Sequence, residues 1–288
     1  MPRISSWLIL WMACAGAAVA QAPAAPPARE AYADLPGVRL WYRDTGGAGV
    51  PVVFMHAATG SSGVWEHQIP AFTAAGYRVI AFDRRGFGKT AIDAAGPQPG
   101  TAADDLQGLM GHLGIGRFHL VGTAAGAFAS FDYALSFPQR LRSLVIANTI
   151  GGVQDEDFQE LGRRLRPSPQ FNALPAEIRE LGPSYRAANP EGTRRWVELE
   201  HTNRAPGPPP PAQTMRNRIT FSLLETIAVP TLLMTGDADL FAPPAVMRLF
   251  KARIRTAESL VVPEAGHSSY WEQPEIFNKA VLEFIRKH

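Results

Sequence analysis

The stretch 118–131 constrains the fold of this chain more than any other. An apolar run, Phe118–Val121, leads into very small residues that include Gly122 and Gly126, and then into a helical pattern. Glycines that flank the junction of a strand and a helix allow a sharp turn and close packing of the two elements. The chain is therefore predicted to contain a buried strand that turns abruptly into a helix.

Strands and helices alternate on both sides of this junction. Continuous apolar runs, as expected of strands buried on both faces, occur at 51–55, 78–82, 144–147, 229–235 and 260–262. Helical patterns separate these runs, which predicts an α/β fold with a mainly parallel sheet covered by helices on both faces. Ordered structure is expected to start with a strand at 38–43.

The alternation breaks between residues 151 and 225. Scattered prolines and a proline run interrupt the helical patterns of this region. Proline ends or kinks a helix, so the region is predicted to be an insertion of short helices that forms a cap over the sheet. The core is then assigned to residues 31–150 and 226–288.

The first twenty residues have the pattern of a secretory signal peptide. Arg3 gives a positive start, Trp7–Val19 is apolar but short for a membrane span, and Ala18-Val19-Ala20 is an A-x-A cleavage signal. Cleavage is predicted after Ala20, before an Ala/Pro-rich leader at 21–30. The mature protein is expected to be periplasmic or secreted, without stable membrane association; a retained membrane anchor is the alternative.

Cysteine content and charge narrow the chemistry and the partners. The only cysteine, Cys14, lies in the predicted signal, so the mature chain is expected to have no disulfide and no thiol chemistry. The formal net charge is +2 and both signs are mixed along the chain, which argues against nucleic acid as a partner. A small-molecule substrate or ligand is expected, and the sequence does not determine the oligomeric state.

Five motifs stand in a characteristic order along the chain. They are His56 opening a small-residue loop after a strand, Asp83 opening DRRGFGKT, Gly122-Thr-Ala-Ala-Gly126, Asp239 ending Gly-Asp-Ala-Asp, and Gly266-His267. Together they resemble the α/β-hydrolase family over residues 38–288, with its chain order of nucleophile elbow, acid and histidine.

The resemblance implies roles for four of these positions. His267 would act as general base, and Asp239 would orient its ring and stabilise the imidazolium; Asp237 is the competing acid. The backbone N–H groups of Ala58 and Ala125 would form an oxyanion hole, which needs no side chain.

Other residues near the expected site are given supporting roles. His56 is interpreted as ordering its loop, and Asp83 as bracing a turn. Trp65 and Trp271 are expected either in the core or in a pocket wall.

Ala124 stands where the family's G-x-S-x-G elbow carries its reactive serine. A methyl group cannot attack a carbonyl carbon, so no acyl-enzyme can form at this position. Four hypotheses remain open. His267 activates water or a substrate proton directly; another hydroxyl, of Thr123, Ser61, Ser62 or Ser268, replaces the serine; the protein binds a ligand without catalysis; or the alanine is an engineered Ser→Ala exchange.

The sequence thus favours a hydrolase acting on an ester, lactone or carbon–carbon bond of a small, largely apolar molecule, driven by His267 and Asp239. A cofactor-free lyase or oxygenase reaction is an alternative. The resemblance implies no cofactor. No cluster of His, Cys, Asp and Glu has the spacing of metal ligands, and residues 122–127 lack the dinucleotide spacing G-x-G-x-x-G.

Overall fold

A computed structural model describes residues 28–93, 96, 100–165, 169–204 and 213–288. The predicted signal peptide, its cleavage site, Cys14 and most of the predicted leader lie outside the described residues. The proline run at 206–211 lies outside them as well.

In the described residues, nine strands form one sheet in the order β1-β2-β4-β3-β6-β7-β8-β9, with β5 paired to β2. The strands are β1 Arg29–Leu35, β2 Val38–Asp44, β3 Pro51–Met55, β4 Arg78–Phe82, β5 Ala91–Ile92, β6 Phe118–Thr123, β7 Leu141–Ala147, β8 Thr231–Gly236 and β9 Ala257–Val262. The pairs from β4 to β9 are parallel, whereas β2 is antiparallel to β1, β4 and β5. The carboxyl ends of the parallel strands therefore share one edge, which is where ligands bind in open α/β sheets.

Helices connect the strands and cover the sheet. They are α1 Gln68–Ala74, α2 Ala102–His112, α3 Ala125–Ser136, α4 Glu156–Leu165, α5 Ala176–Glu180, α6 Pro183–Ala188, α7 Pro190–His201, α8 Phe221–Leu224, α9 Pro244–Arg253, α10 Ser269–Glu272 and α11 Pro274–Ile285. Short 3-10 helices lie at Ser62–Trp65, Pro138–Arg140 and Pro169–Ala173.

Two apolar cores lie on opposite faces of the sheet because alternate residues of a strand point to opposite sides. In β3, Val53 and Met55 pack into one core and Val52 and Phe54 into the other. The first core contains the buried faces of α2, α3 and α9, and the second those of α1 and α11. The α/β fold with a mainly parallel sheet covered on both faces, expected from the apolar runs, is confirmed.

The expected start of order at residue 38 is wrong. Strand β1 begins at Arg29, within the range 21–30 assigned to the leader, and pairs antiparallel with β2 along its whole length. Its only fully buried residue is Ala33. A strand at the sheet edge with one small buried side chain carries almost no apolar signal, so periodicity could not reveal it.

The stretch between β7 and β8 contains α4 to α8, and we call residues 156–224 the helical segment. Its described residues, 156–165, 169–204 and 213–224, form short helices, with Pro183 and Pro190 each at the first position of a helix. Proline is tolerated there because the first N–H groups of a helix have no acceptor within the helix. None of the helices in the described part of the chain has both the length and the apolarity needed to span a membrane.

Candidate active site

The junction of β6 and α3 is a sharp turn centred on Ala124. Its backbone lies at φ 48°, ψ −117°, a conformation that a residue with a Cβ rarely adopts. The Ala124 N–H donates to the Ala147 carbonyl at 3.0 Å, and Thr149 Oγ1 donates to the Ala124 carbonyl at 3.0 Å. The end of β7 and the loop that follows it thus hold the strained residue in place at the carboxyl edge of the sheet.

Both glycines of this turn are required by close contacts. A Cβ on Gly126 would lie 2.3 Å from the Met55 carbonyl oxygen, and one on Gly122 would lie 2.2 Å from Ser130 Oγ. Both distances are far below van der Waals contact. The turn therefore packs backbone directly against β3 and α3, as the glycine spacing predicts.

Asp239 and His267 form a buried hydrogen-bonded pair. His267 Nδ1 lies 2.9 Å from each carboxylate oxygen of Asp239, and the two residues are 8% and 3% exposed. The carboxylate also accepts the N–H groups of Phe241 and Ala242 at 2.8 Å. These bonds fix the position of the carboxylate. Because Nδ1 of His267 is bound to that carboxylate, Nε2 is the ring nitrogen that can exchange a proton. Asp237 shows no such contact with the imidazole.

The charges of this pair stabilise each other. Burial disfavours both ions, but the His267 charge and the hydrogen bonds to Asp239 outweigh it and hold the pKa of Asp239 below its usual value. Burial likewise opposes the imidazolium, yet the Asp239 and Glu180 carboxylates raise the pKa of His267 to about 9. His267 is therefore mainly an imidazolium at neutral pH and becomes a base in mildly alkaline solution.

Asn148 supports the Asp239–His267 pair by hydrogen bonds, a role that the sequence analysis did not predict. Its Nδ2 donates to Asp239 Oδ2 and to the Gly266 carbonyl, both at 3.1 Å, while its Oδ1 accepts from Ser269 Oγ at 2.5 Å. Asn148 has φ 48°, a region that asparagine enters more readily than most residues. An isolated Asn after a strand gives no sequence signal for such a role.

Glu272, also missed, joins the histidine loop to the helical segment. One of its oxygens accepts the Gly182 N–H at 2.6 Å, and the carboxylate also accepts the N–H groups of Gly266 and Ser268 at 2.9 and 3.1 Å. Burial raises the pKa of Glu272 to about 7, although these bonds oppose the shift. The backbone on both sides of His267 is thereby fixed by one carboxyl group.

His56 is fully buried, and hydrogen bonds at both ring nitrogens fix the orientation of its ring. Nδ1 lies 2.7 Å from the Ala57 carbonyl, and Nε2 accepts the Arg84 N–H at 3.0 Å. Burial and the Arg84 charge hold the pKa of His56 well below its usual value, so this ring is neutral and links the loop after β3 to the loop after β4.

Asp83 links the same two loops. Its oxygens accept the N–H groups of Ser62 and Lys89 at 2.8 Å each. A side chain on Gly88 would collide with this carboxylate, because its Cβ would lie 2.0 Å from Oδ2. His56 and Asp83 lie beside the loop that carries Ala58, and neither lines the cavity described next.

The elements at the carboxyl edge of the sheet enclose a cavity of about 290 Å³. Ala58, Ala124, Ala125 and His267 all line it. The N–H of Ala125 belongs to the first turn of α3, where amides have no acceptor within the helix. The Ala58 loop is held by Asn203, whose Nδ2 lies 3.4 Å from the Ala58 carbonyl.

Aromatic and aliphatic side chains make up most of the cavity wall. They come from α3, the loop after β7, the helical segment and the loop after β8: Phe128, Ile150, Phe158, Leu165, Phe171 and Phe241. The Phe241 ring lies against the His267 imidazole, with centroids 4.7 Å apart. A small apolar molecule suits this volume and wall.

The other hydroxyl groups considered in the sequence do not line this cavity. Thr123, Ser61, Ser62 and Ser268 are absent from its wall, whereas Thr59 and Thr149 contribute to it. Thr123 Oγ1 is buried without a hydrogen-bond partner in the described residues. This arrangement argues against a substitute nucleophile among the four.

Trp65 and Trp271 belong to the second apolar core. They are 0% and 1% exposed and neither lines the cavity. Within the residues that the structure describes, no group of three or more His, Cys, Asp or Glu side chains is placed to hold a metal ion.

The family model described as alpha/beta hydrolase fold matches residues 50–274. The chain therefore belongs to the α/β-hydrolase family, as the five motifs predict.

Two similar proteins cover nearly the whole chain. A protein of Burkholderia vietnamiensis named 2-hydroxy-6-oxononadienedioate/2-hydroxy-6-oxononatrienedioate hydrolase is 30% identical over 286 residues, covering 87% of this chain and 92% of its own. The solved structure of a thermophilic esterase from Thermogutta terrifontis is 29% identical, covers 91% of this chain and 99% of its own, and has a TM-score of 0.70.

The solved structure of a bromoperoxidase from Bacillus anthracis shares the fold. It is 23% identical, covers 90% of this chain and 99% of its own, and has a TM-score of 0.68. The names of these three proteins differ in reaction, so similarity alone does not select a substrate.

Proposed function

We propose that this chain hydrolyses an ester, lactone or carbon–carbon bond in a small, largely apolar substrate, using His267 and Asp239 without a serine nucleophile. The observation that carries the proposal is the shared cavity: His267, hydrogen-bonded to the buried Asp239, and Ala124 both line the same apolar space. The named activities of the esterase from T. terrifontis and the hydrolase from B. vietnamiensis support this reaction class.

The absent hydroxyl leaves room for water at Ala124. In the proposed reaction, neutral His267 takes a proton from water through Nε2 while the water oxygen attacks the substrate carbonyl carbon. The imidazolium then returns that proton to the leaving alkoxide or carbanion as its bond to the carbonyl carbon breaks. The products are a carboxylic acid and the protonated leaving group, so atoms and charge balance.

The carbonyl oxygen becomes negative in this step. The N–H groups of Ala58 and Ala125 are proposed to donate to it, because both residues line the cavity beside Ala124. Preorganised backbone donors in a site that excludes water stabilise such an oxyanion strongly.

His267→Ala tests base catalysis in the unaltered chain. With p-nitrophenyl acetate, p-nitrophenyl butyrate and a γ-lactone as substrates, we expect kcat/KM to fall by about 10²–10⁴-fold, the usual contribution of a general base. The control is His201→Ala, since His201 is exposed on α7 and its loss should leave the rate unchanged. An unchanged rate in His267→Ala would refute the proposed role.

Ala124→Ser separates the remaining hypotheses. If the alanine replaces a serine in otherwise intact machinery, the serine variant gains esterase activity and releases a burst of p-nitrophenol from the acyl-enzyme. The same gain should disappear in Ala124→Ser combined with His267→Ala.

A ligand-binding protein is the second candidate, favoured by the predominantly apolar cavity wall. It predicts no turnover by the unaltered chain and saturable binding of small apolar molecules.

A further inference from the structure

Glu180 is a carboxyl group inside the candidate active site that the proposed reaction does not use. It is the last residue of α5 in the helical segment, lines the cavity together with His267 and is 6% exposed. Its backbone carbonyl accepts the His267 N–H at 2.6 Å, so the position of Glu180 is tied to the histidine loop.

The side chain of Glu180 is an exception among the buried carboxyl groups of this site. Its Oε2 is buried and has no hydrogen-bond partner in the described residues. Asp239 and Glu272, by contrast, each accept several hydrogen bonds. Leaving a buried acceptor unpaired costs free energy, so proteins rarely keep such a group without a use for it.

The charges around Glu180 restrict what can bind to it. Burial and the Asp239 charge raise the pKa of Glu180, while the His267 charge opposes that shift. A ligand ammonium group would lie close to the His267 imidazolium and be repelled by it. A neutral hydroxyl can donate to the carboxylate without that penalty.

We propose that Glu180 is a substrate-binding residue that accepts a hydrogen bond from a hydroxyl group, and that the substrate is a small apolar molecule carrying one such hydroxyl. The apolar wall would hold the rest of the molecule, and Glu180 would set its orientation relative to His267. The inference that the bound molecule is a substrate rests on the proposed function; the hydroxyl preference does not.

Matched probes test this preference without turnover. 4-Nitrobenzyl alcohol and 4-nitrotoluene have the same ring and differ by one hydroxyl group, and their binding is measured by calorimetry. A hydrogen bond to a charged group is expected to favour the alcohol by about tenfold to a hundredfold in Kd. Glu180→Leu should abolish the preference, and Glu180→Gln, which keeps a carbonyl acceptor, should retain part of it.

Glu177→Gln is the matched control, because Glu177 lies on the same helix and does not line the cavity. It should keep the full preference. The ratio of the Kd values of 4-nitrotoluene and 4-nitrobenzyl alcohol reports hydroxyl recognition alone, because a general loosening of α5 would weaken the binding of both probes together. Equal preference in all variants, or no binding of the alcohol to the unaltered chain, would overturn the proposal.

The two proposals fail separately. Loss of the hydroxyl preference in Glu180→Leu, with no turnover in any variant, would support the binding role and refute hydrolysis. Turnover that depends on His267, with the same preference in every Glu180 variant, would do the reverse.

Discussion

Individual residues at the carboxyl edge of the sheet combine strain, close packing and buried charge. Ala124 is held at a positive φ, a cost of about 1–3 kcal/mol for a residue with a side chain. His267 and Asp239 are both buried as charged groups. Such features persist only where surrounding contacts compensate for them, and here the bonds from Ala147, Phe241 and Asn148 do so.

The titration of His267 gives the first prediction at this scale. A general base must be neutral, so kcat/KM should rise with pH through the pKa of His267, which is raised to about 9. In Asp239→Asn a carboxylate that favours the imidazolium is lost, so the rising limb should move to lower pH while the plateau rate falls. pH–rate profiles of both forms with p-nitrophenyl acetate provide the measurement. A limb that stays in place would show that another group titrates.

The same shift has a consequence for stability. Because the pKa of His267 is raised above its ordinary value of 6.5, its contribution to stability is fully present below pH 6.5 and is lost as the pH rises through about 9.

Gly126 gives the second prediction at the residue scale. In Gly126→Ala the new methyl group would lie 2.3 Å from the Met55 carbonyl oxygen, and β3 and α3 would have to separate. The free energy of unfolding should fall by about 1–3 kcal/mol, as in other overpacked cores. Urea denaturation measures the change.

Gly111→Ala is the matched control for that experiment. Gly111 lies in α2 with open space where its Cβ would stand. Alanine there should raise the free energy of unfolding by about 0.4–1 kcal/mol, because it restricts the unfolded chain and favours the helix. Equal effects at both positions would contradict the close contact at Gly126.

At the scale of elements, Glu272 determines how the histidine loop meets the helical segment. Glu272→Ala would leave the N–H groups of Gly182, Gly266 and Ser268 without their acceptor. Each buried unpaired group costs about 1–3 kcal/mol, so we expect a loss of about 3 kcal/mol or more in the free energy of unfolding. Amide hydrogen exchange should quicken at these three positions.

Glu283→Ala controls for the loss of an acidic residue. Glu283 is exposed on α11, and its removal should change stability by no more than about 0.5 kcal/mol. If Glu272→Ala were equally mild, the bonds to the three amides would contribute nothing.

Some elements were predictable from local chemistry alone. Thr101 caps α2 by accepting the Asp104 N–H at 3.0 Å, the usual role of a threonine that directly precedes a helix. The strands at 51–55 and 78–82 have the expected bounds because their side chains are apolar on both faces. Strand β1 escaped prediction because its partner β2, not its own composition, makes it a strand.

At the scale of the whole molecule, Phe250 on α9 joins the helical segment to the first apolar core. Its ring lies 5.7 Å from Phe131 of α3, 5.8 Å from Phe158 of α4 and 5.5 Å from Phe221 of α8. Such contacts are expected to make the helical segment unfold together with the sheet.

Phe250→Ala should therefore lower the free energy of unfolding by about 3–5 kcal/mol, the usual cost of removing a buried phenylalanine ring, and keep a single transition. The adjacent Leu249 is 39% exposed, so Leu249→Ala should have a far smaller effect. Fluorescence and circular dichroism followed in the same urea titration test both points. Two separate transitions in the unaltered chain would refute cooperative unfolding.

The periplasmic or secreted location and the boundaries 31–150, 151–225 and 226–288 stay predictions, as do the catalytic roles. Mass spectrometry of the exported protein would test cleavage after Ala20.

The sequence by itself predicted the family, the alternation of strands and helices in the core apart from β1, and the two residues, Asp239 and His267, that the structure shows hydrogen-bonded. Those features depend on local patterns: apolar runs, glycines at a tight turn, and short motifs that keep their chain order. Only the tertiary structure decided that Asn148, Glu180 and Glu272 converge on His267. Asn148 bonds to Asp239 across 91 residues of chain and to Ser269 across 121. The partners of a buried polar group are chosen by the packing of distant elements, and no local pattern encodes that choice.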